Sequence, residues 1–569
     1  MYIIIIIAVV IVFLSIKSYL HLKEKERQLL RELEQSYGKA NTRKFEPGEL
    51  DRISRKFRNK CDDPDKKSEF IIDDITWNDM DMDEVFMAMG HCGSGGGEEY
   101  LYDMLRRPVF DDEVLKERDR VAVFFDKNPK NRLAFQRIFY KLGKTGKYSL
   151  SDQLMKISVL KEDSNILHFF CIFLTVLSIS LIYIKPPVGF FAILITAAFN
   201  VATYFKRKGE LEPYISSFIY LFRALNEADE MLSLPGEGLE EYMEKIRNYR
   251  KQLLPIRRGS FLIVAGNGAT GGILDLPLDY IRIFMHLDLI KFNLSLKQFI
   301  QKKNIITELF DTMGFLDAEI SIASFRNHKK IFCAPAHEFS DSSNYIFNAT
   351  GLYHPLVNDA IPYDIITKGG VLITGANASG KSTFLKSVGL AVILGQTINT
   401  AFSVSCNISY MTPISAIKVE DSIKKGDSYY MAEIKAVKRL IDAGEFNSIH
   451  GKVGVICFID ELLRGTNTIE RISAAAEILK VLRLKNFLVL SATHDIELAV
   501  IIDKYYDNFH FSETIEQDDI KFDYKLRPGM AKSRNAISLL KLIGFDDEIT
   551  SKAYELAASY EKDGSWERI

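Results

Sequence analysis

The chain has 569 residues, of which 47% are hydrophobic and 26% are charged, a balance typical of globular proteins and unlike that of disordered or collagen-like chains. Its 73 lysines and arginines and 75 aspartates and glutamates give a formal net charge of −2. The chain therefore lacks the overall basic excess that would indicate binding to nucleic acid. Six cysteines without a C-x-x-C pair exclude a disulfide scaffold and the common zinc modules, and favour a reducing compartment.

Two regions of the chain are apolar enough to cross a membrane. Residues 2–16 carry no charge, so we predict a retained transmembrane anchor at residues 1–20 rather than a cleaved signal peptide. A second apolar block, broken at Lys185-Pro186-Pro187, predicts a transmembrane hairpin at residues 164–205. The sequence thus predicts three spans, and a hairpin buried in a protein core is the alternative for the second block.

Basic residues follow the first and third predicted spans, at 17–27 and 206–208, and are scarce elsewhere around the spans. The positive-inside rule then places the N-terminus outside and residues from about 21 to 163 and from about 206 to 569 in the cytoplasm. We therefore expect a multi-pass protein of the cell membrane with its soluble parts in the cytoplasm.

The soluble part before residue 345 is mostly helical by periodicity. Residues 21–80 are predicted to form a juxtamembrane helix and a linker, and residues 81–163 and 206–345 to be helical. The glycine-rich stretch 255–276 is predicted as a loop excursion without a ligand. The basic run 52–60 is interpreted as a solvated linker near anionic headgroups, with a nucleic-acid patch as the alternative.

From residue 346 onward, short apolar runs alternate with helices, which predicts an α/β domain with buried parallel strands at 371–374, 453–459 and 487–492. The segment GANASGKS, residues 375–382, follows the first strand, opens a helix and matches the phosphate-loop pattern G-x-x-x-x-G-K-[ST]. Backbone N–H groups in such a loop bind phosphates, which predicts ATP and Mg²⁺ as ligands. The predicted nucleotide-binding residues are Gly375, Asn377, Ser379, Gly380, Lys381, Ser382 and Thr383.

Polar residues that end the predicted strands supply the remaining chemistry. Lys381 is expected to contact the β- and γ-phosphates, and Ser382 and Asp460 are the predicted Mg²⁺ ligands. Glu461, directly after Asp460, is predicted to orient and deprotonate the attacking water. His494 ends the next strand at the same sheet edge, where it is expected to sense a γ-phosphate.

Four segments of the α/β part resemble the MutS ATPases. They are YHPL (353–356), TGAN (374–377), GDSYYMAEI (426–434) and LRGTNT (463–468). The resemblance implies a MutS-like, ABC-type P-loop ATPase domain at 346–532, a C-terminal helical dimerisation tail at 533–569, and a helical core and lever in 81–163 and 206–345. It also implies a homodimer with composite sites, in which Ser428 contacts the nucleotide of the opposite subunit. An ABC transporter subunit is disfavoured, because the L-S-G-G-Q signature is missing.

The chain also departs from the MutS pattern. The residues before 80 hold the expected anchor in place of an N-terminal mismatch-recognition domain, and the predicted hairpin interrupts the lever. The sequence therefore predicts a membrane-anchored MutS-like ATPase that hydrolyses ATP to drive conformational switching. Double-stranded DNA is a partner implied by the family alone. The alternative is a conformational ATPase that acts on membrane or envelope partners without DNA.

Overall fold

The chain forms two compact units in the computed structural model. The model describes residues 2–62, 70–146, 148–160, 163–259, 275–339, 345–367, 369–376, 379–418, 429–450, 453–516, 519–531, 537, 540 and 543–563. The helical unit comprises Met1–Glu69, Phe86–Met104 and Arg120–His328, and the α/β unit comprises Phe70–Val85, Leu105–Asp119 and Lys329–Ile569. Segments 70–85 and 105–119 thus join the α/β unit from far away in the chain. The finer seven-part division remains a prediction.

The first part of the chain is built from helices, as its periodicity predicts. In chain order they are α1 (Tyr2–Ser36), α2 (Glu49–Ile53), α3 (Arg55–Cys61), α4 (Asp74–Asp79), α5 (Met82–Met89), α6 (Gly95–Arg106), α7 (Asp112–Lys127), α8 (Pro129–Leu142), α9 (Leu150–Val159), α10 (Ile166–Ile184), α11 (Pro186–Leu232), α12 (Glu240–Arg257), α13 (Asp275–Met285), α14 (Leu287–Gln301) and α15 (Lys303–Lys329). The predicted loop excursion at 255–276 is wrong at both ends, because α12 continues to Arg257 and α13 begins at Asp275. Residues 260–274 lie outside the described residues.

Aromatic packing between α11 and α14 forms the centre of the helical unit. The ring of Phe218 lies 4.9 Å from the rings of both Phe292 and Phe299, and all three side chains are fully buried. Close edge and tilted contacts of this kind add about 0.5–1.5 kcal/mol per pair beyond the burial of apolar area. The second half of α11 is therefore an integral core helix.

A glycine-rich turn before α6 receives a carboxylate from α15. Asp317 accepts hydrogen bonds from the backbone N–H groups of Gly93 and Ser94, at 2.9 and 2.8 Å, and from the Ser94 hydroxyl at 2.6 Å. A Cβ atom on Gly97 would lie 2.2 Å from the Asp317 Oδ2 atom. These glycines therefore permit a close approach of two helices around a buried carboxylate.

Among the described residues, two helices are long and apolar enough to cross a membrane, not the three that the sequence predicts. They are Ile166–Ile184 and Pro186–Leu211, which meet at the predicted Pro-Pro break. The predicted first span is the start of α1, which runs without interruption to Ser36. Helix α11 continues past the predicted end of the hairpin at residue 205, to Leu232, as one helix of 47 residues, and the boundary at 205 remains a prediction.

The α/β unit contains twelve described strands and five further described helices. The strands are β1 (Ala336–Glu338), β2 (Phe347–Leu352), β3 (Tyr363–Thr367), β4 (Gly370–Thr374), β5 (Ser405–Ser409), β6 (Met411–Ala416), β7 (Gly454–Asp460), β8 (Leu488–Thr493), β9 (Tyr506–His510), β10 (Glu513–Glu516), β11 (Asp519–Phe522) and β12 (Arg527–Pro528). The helices are α16 (Lys381–Ile398), α17 (Tyr429–His450), α18 (Thr468–Leu484), α19 (Ile496–Ile501) and α20 (Asp547–Asp563).

The main sheet has the order β12-β9-β4-β8-β7-β6, with β9, β4, β8, β7 and β6 parallel to their neighbours. The three predicted strands are confirmed as β4, β7 and β8, and they are buried almost throughout, as expected of a parallel sheet covered on both faces. Because β8 lies between β4 and β7, the carboxyl ends of these three strands adjoin. Thr374 pairs with Thr493, and Asp460 pairs with Ala492.

Helix α4 is fastened within the α/β unit through a buried carboxylate. Asp79 accepts hydrogen bonds from the Ser415 hydroxyl at 2.6 Å and from the backbone N–H groups of Ile417 and Lys418 at 2.9 Å. The neighbouring Asp81 forms ion pairs with Lys386 and Lys418. These contacts explain why segment 70–85 belongs to the α/β unit, although the first strand of that unit begins more than 250 residues later in the chain.

Candidate nucleotide site

The phosphate-loop segment forms a tight turn between β4 and α16. Gly375 (φ +148°) and Gly380 (φ +107°) adopt backbone conformations that residues with a side chain rarely adopt. A Cβ atom on Gly375 would also lie 2.9 Å from the carbonyl oxygen of Phe511. The loop therefore needs glycine at both ends, and α16 begins directly after it with its N-terminal N–H groups at the loop.

The Ser379 hydroxyl provides a test of whether the loop fits a phosphate. Its oxygen is buried and has no hydrogen-bond partner among the residues that the structure describes. A buried polar group without a partner is costly, and a phosphate oxygen would satisfy this one. The loop residues therefore fit an anionic ligand of the nucleotide type.

Lys381 closes the loop from the other side. Its Nζ atom donates hydrogen bonds to the carbonyl oxygens of Gly375 and Ala376, at 2.7 and 2.8 Å, and the residue is only 4% exposed. The ammonium group is thus held against the start of the loop. Because the ammonium group is already buried beside the loop, it is in place to form charge-assisted hydrogen bonds with phosphate oxygens.

Two oxygen ligands suited to Mg²⁺ lie side by side. The Ser382 hydroxyl, in the first turn of α16, is hydrogen-bonded to the carboxylate of Asp460 at the end of β7. Burial raises the pKa of Asp460, and the Ser382 hydrogen bond and the charge of Lys381 offset part of this rise. A hydroxyl and a carboxylate are the hard ligands that Mg²⁺ prefers, with water at its other positions, so this donor set fits the ion.

Glu461 lies at the centre of a charged cluster. Its Oε1 atom is 3.2 Å from the Nδ1 atom of His494, and its Oε2 atom forms an ion pair with Arg464. Burial would raise the pKa of Glu461, but the His494 hydrogen bond and the positive charge of Arg464 outweigh it and hold the pKa below its ordinary value. Glu461 is therefore kept as a carboxylate that can orient a water molecule.

The backbone around Glu461 is strained. Glu461 (φ +52°) and Leu463 (φ +58°) both occupy the left-handed region, at a cost of about 1–2 kcal/mol each for residues other than glycine. The Glu461 N–H is hydrogen-bonded to the carbonyl of Ala492 at 2.9 Å, which ties this turn to β8. The turn thereby fixes the Glu461 carboxylate beside His494.

Glu433 is a further site residue, and the residue patterns of the sequence do not predict a role for it. It is 4% exposed, and its carboxylate accepts hydrogen bonds from the backbone N–H groups of Arg464 and Gly465 at 3.2 and 3.3 Å. Glu433 therefore positions the loop that contains Arg464, the residue that forms an ion pair with Glu461. Its occurrence in the MutS-like segment 426–434 is the signal that could have identified it.

Most of the predicted site residues come together at this sheet edge. Lys381, Ser382, Asp460, Glu461 and His494 are linked through the loop or through the contacts above, and Thr383 lies in the first turn of α16. Asn377 and Ser428 lie outside the described residues. Their predicted roles remain predictions.

The pKa of His494 provides a direct test of the cluster. The hydrogen bond to Glu461 raises it, and partial burial opposes the rise. We expect the imidazole to titrate above about 6.5 and to lose this upward shift in Glu461→Gln. Because the folded-state pKa is raised, protonation stabilises the fold below about pH 6.5, and this contribution disappears as the pH rises through the folded-state pKa. Imidazole resonances followed against pH, with His494→Gln for assignment, provide the measurement. Equal titration in the parent and Glu461→Gln chains would contradict the pairing.

A known protein-family model matches part of the α/β unit. Residues 371–561 match the family model of MutS domain V. This domain is a P-loop ATPase, in agreement with the loop, the strand order and the cluster around Glu461. The match covers β4 through most of α20.

Curated relatives point to the same family. The chain is 26% identical to the DNA mismatch repair protein MutS 2 of Haloarcula marismortui over 208 residues, which cover 36% of this chain and 21% of the relative. It is 28% identical to the endonuclease MutS2 of Finegoldia magna over 236 residues (39% and 28%), and 26% identical to the DNA mismatch repair protein MutS of Chlamydia pneumoniae over 274 residues (46% and 32%). The chain thus spans about a fifth to a third of these relatives, and the matches support a place in the MutS family.

Proposed function

We propose that this protein is a membrane-anchored MutS-type ATPase that binds and hydrolyses ATP with Mg²⁺ to drive conformational switching. The observation that carries the proposal is the convergence of Lys381, the Ser382–Asp460 pair and the Glu461–His494 pair at the ends of β4, β7 and β8. The match of residues 371–561 to MutS domain V supports it.

The chemistry follows from the position of each group. Loop N–H groups and the Lys381 ammonium would bind the phosphates. Ser382 and Asp460 would hold Mg²⁺, and the bound ion would supply positive charge at the phosphate oxygens. Glu461 orients the attacking water and accepts its proton, while His494 holds the carboxylate in place. The decisive experiment is ATP hydrolysis by the detergent-purified chain with Mg²⁺ and with a chelator. A rate unaffected by Glu461→Gln would contradict the proposal.

The proposed active form is a homodimer with composite sites, and Ser428 is proposed to contact the nucleotide of the opposite subunit. The family match supports this arrangement. The chain's relatives are named as mismatch repair proteins, which supports double-stranded DNA as a candidate partner.

The second candidate function is a conformational ATPase that acts without DNA on membrane or envelope partners. It is favoured because the lysines and arginines of the basic run 52–60 are already paired with carboxylates. The cations at 52–60 each form an ion pair within the helical unit: Arg52 with Glu49 and Glu98, Arg55 with Asp152, Lys56 with Asp311, Arg58 with Asp51, and Lys60 with Asp103. A second basic site on this unit is Arg257-Arg258, and Arg257 is bound to Asp229. Cations already matched by carboxylates attract phosphates less.

We expect any DNA binding to depend strongly on salt and to discriminate less than about tenfold between homoduplex and single-mismatch DNA, which is under about 1.4 kcal/mol. The reason is that surface lysines and arginines would contact the DNA phosphates, which carry no sequence information, rather than the base edges. Titration of the detergent-purified chain with both duplexes at two salt concentrations measures this. A hundredfold preference that persists at high salt would contradict it.

The proposed membrane topology takes the start of α1 as a third span beside the hairpin, which places the N-terminus outside and the ATPase domain in the cytoplasm. We expect a cysteine in P186C to react with an impermeant maleimide in intact cells, and a cysteine in W566C to react only after lysis. The parent chain, with its six native cysteines, gives the background. Labelling of W566C in intact cells would invert the topology.

A further inference from the structure

The hairpin of α10 and α11 exposes most of its apolar surface. Only 17% and 22% of the residues in its two most apolar stretches are buried. Polar contacts join the two helices: the hydroxyls of Ser178 and Thr196 are 2.9 Å apart, and Asn200 Nδ2 donates to the Thr175 hydroxyl at 2.9 Å and to the Cys171 carbonyl at 3.3 Å. Such contacts are common between helices in lipid, where apolar surface alone does not drive helices together.

Helix α13 is fastened to this hairpin at Asn200. The Asn200 amide donates to the carbonyl of Phe284 at 2.8 Å, and His286, directly after α13, donates from Nε2 to the carbonyl of Asn200 at 2.9 Å. His286 is fully buried, and its Nδ1 atom is 2.9 Å from Nδ1 of His168 on α10. Because Asn200 lies within the second apolar stretch, the end of α13 is held at the level of that stretch.

Among the described side chains of α13, the charged one is buried, while two neighbours with apolar surface are exposed. Arg282 is buried, with its Nε atom 3.8 Å from the carboxylate of Asp288. Tyr280 and Ile281 are 61% and 46% exposed, and the ring of Phe284 stacks on that of Tyr280. An exposed apolar face beside a buried charge indicates that something other than water covers the face.

We propose that α13 is a membrane element, seated at the boundary between lipid headgroups and acyl chains with Tyr280 and Ile281 in contact with lipid. Asn200, itself buried, joins the end of α13 to the exposed hairpin, and Tyr280 is an aromatic residue of the kind enriched at this depth. The exposed Phe205 and the basic run 206–208 follow on α11, where headgroup phosphates would lie. The inference rests on the proposed membrane position of the hairpin.

Tryptophan quenching by brominated acyl chains tests this contact. Tyr280→Trp is introduced into the full chain, which is then reconstituted into phosphatidylcholine–phosphatidylglycerol vesicles with and without brominated lipid. Phe191→Trp, on the exposed face of α11, reports on the hairpin, and Tyr140→Trp, exposed on α8, reports on the aqueous side. The native Trp77 and Trp566 give the background in the parent chain. Ile281→Trp serves as a second reporter if Tyr280→Trp does not fold.

We expect bromolipid to quench the tryptophans at 191 and 280 and to leave Tyr140→Trp at the background. Quenching at 191 without quenching at 280 or 281 would overturn the membrane role of α13 while keeping the hairpin in the membrane. An unquenched, blue-shifted emission at 280 that depends on protein concentration would show a second copy of the chain on this face, and would also overturn it. Absence of quenching at 191 would overturn the proposed membrane position of the hairpin and this inference together.

Discussion

Glu461→Gln is expected to lower kcat for ATP hydrolysis by about 10²- to 10⁴-fold, the usual contribution of a positioned general base. The amide keeps an oxygen for the hydrogen bond from His494 but cannot accept a proton from water at neutral pH. ATP binding should remain, because the loop and Lys381 are unchanged. Steady-state hydrolysis together with equilibrium binding of ATP separates the two effects.

Glu477→Gln is the matched control for this change. Glu477 lies on α18, is exposed and pairs with Lys480, so the same chemical change is made away from the sheet edge. We expect the control to hydrolyse ATP like the parent chain. Equal rates in Glu461→Gln and Glu477→Gln would remove Glu461 from the mechanism.

Lys381→Ala is expected to weaken ATP binding by about 10- to 100-fold, because a charge-assisted hydrogen bond of this kind contributes about 1.5–3 kcal/mol. The substitution also leaves the carbonyls of Gly375 and Ala376 without their described donor, so the loop loses its internal closure. Nucleotide titration monitored by calorimetry or a fluorescent analogue provides the measurement.

Lys438→Ala removes the same charge from the exposed surface of α17, where Lys438 pairs with Asp442. We expect its ATP affinity to equal that of the parent chain. If both lysine variants bind ATP like the parent, Lys381 does not contact the phosphates. Thermal denaturation of both proteins should accompany the titration, since loss of the fold would also abolish binding.

Local patterns made the α/β unit predictable. A buried parallel strand is a continuous apolar run, and the residue that ends it emerges at the carboxyl edge of the sheet. For this reason Lys381, Asp460, Glu461 and His494 could be placed together from the sequence, and the contacts among them follow that placement. The turn at Glu461, with its left-handed backbone, has no local signature of this kind.

Contacts between distant parts of the chain cannot be predicted from such local patterns. Asp79 is bound by groups more than 330 residues away, and no periodicity relates the two segments. The sequence predicts a solvated linker for the basic run 52–60, but its charged side chains form ion pairs with carboxylates on several other helices, and only the folded chain brings these groups together. Glu433 is a similar case, since its two backbone donors come from the turn after β7.

Helix α11 acts mechanically as a stiff rod. Its 47 residues extend about 70 Å at 1.5 Å per residue, without a break between the apolar hairpin and the phenylalanine core. A tilt of the core end by about 5° would sweep the hairpin end through about 6 Å over this length. In the proposed membrane position of the hairpin, a small angular change in the core would therefore move the far end of α11 by about this distance within the bilayer.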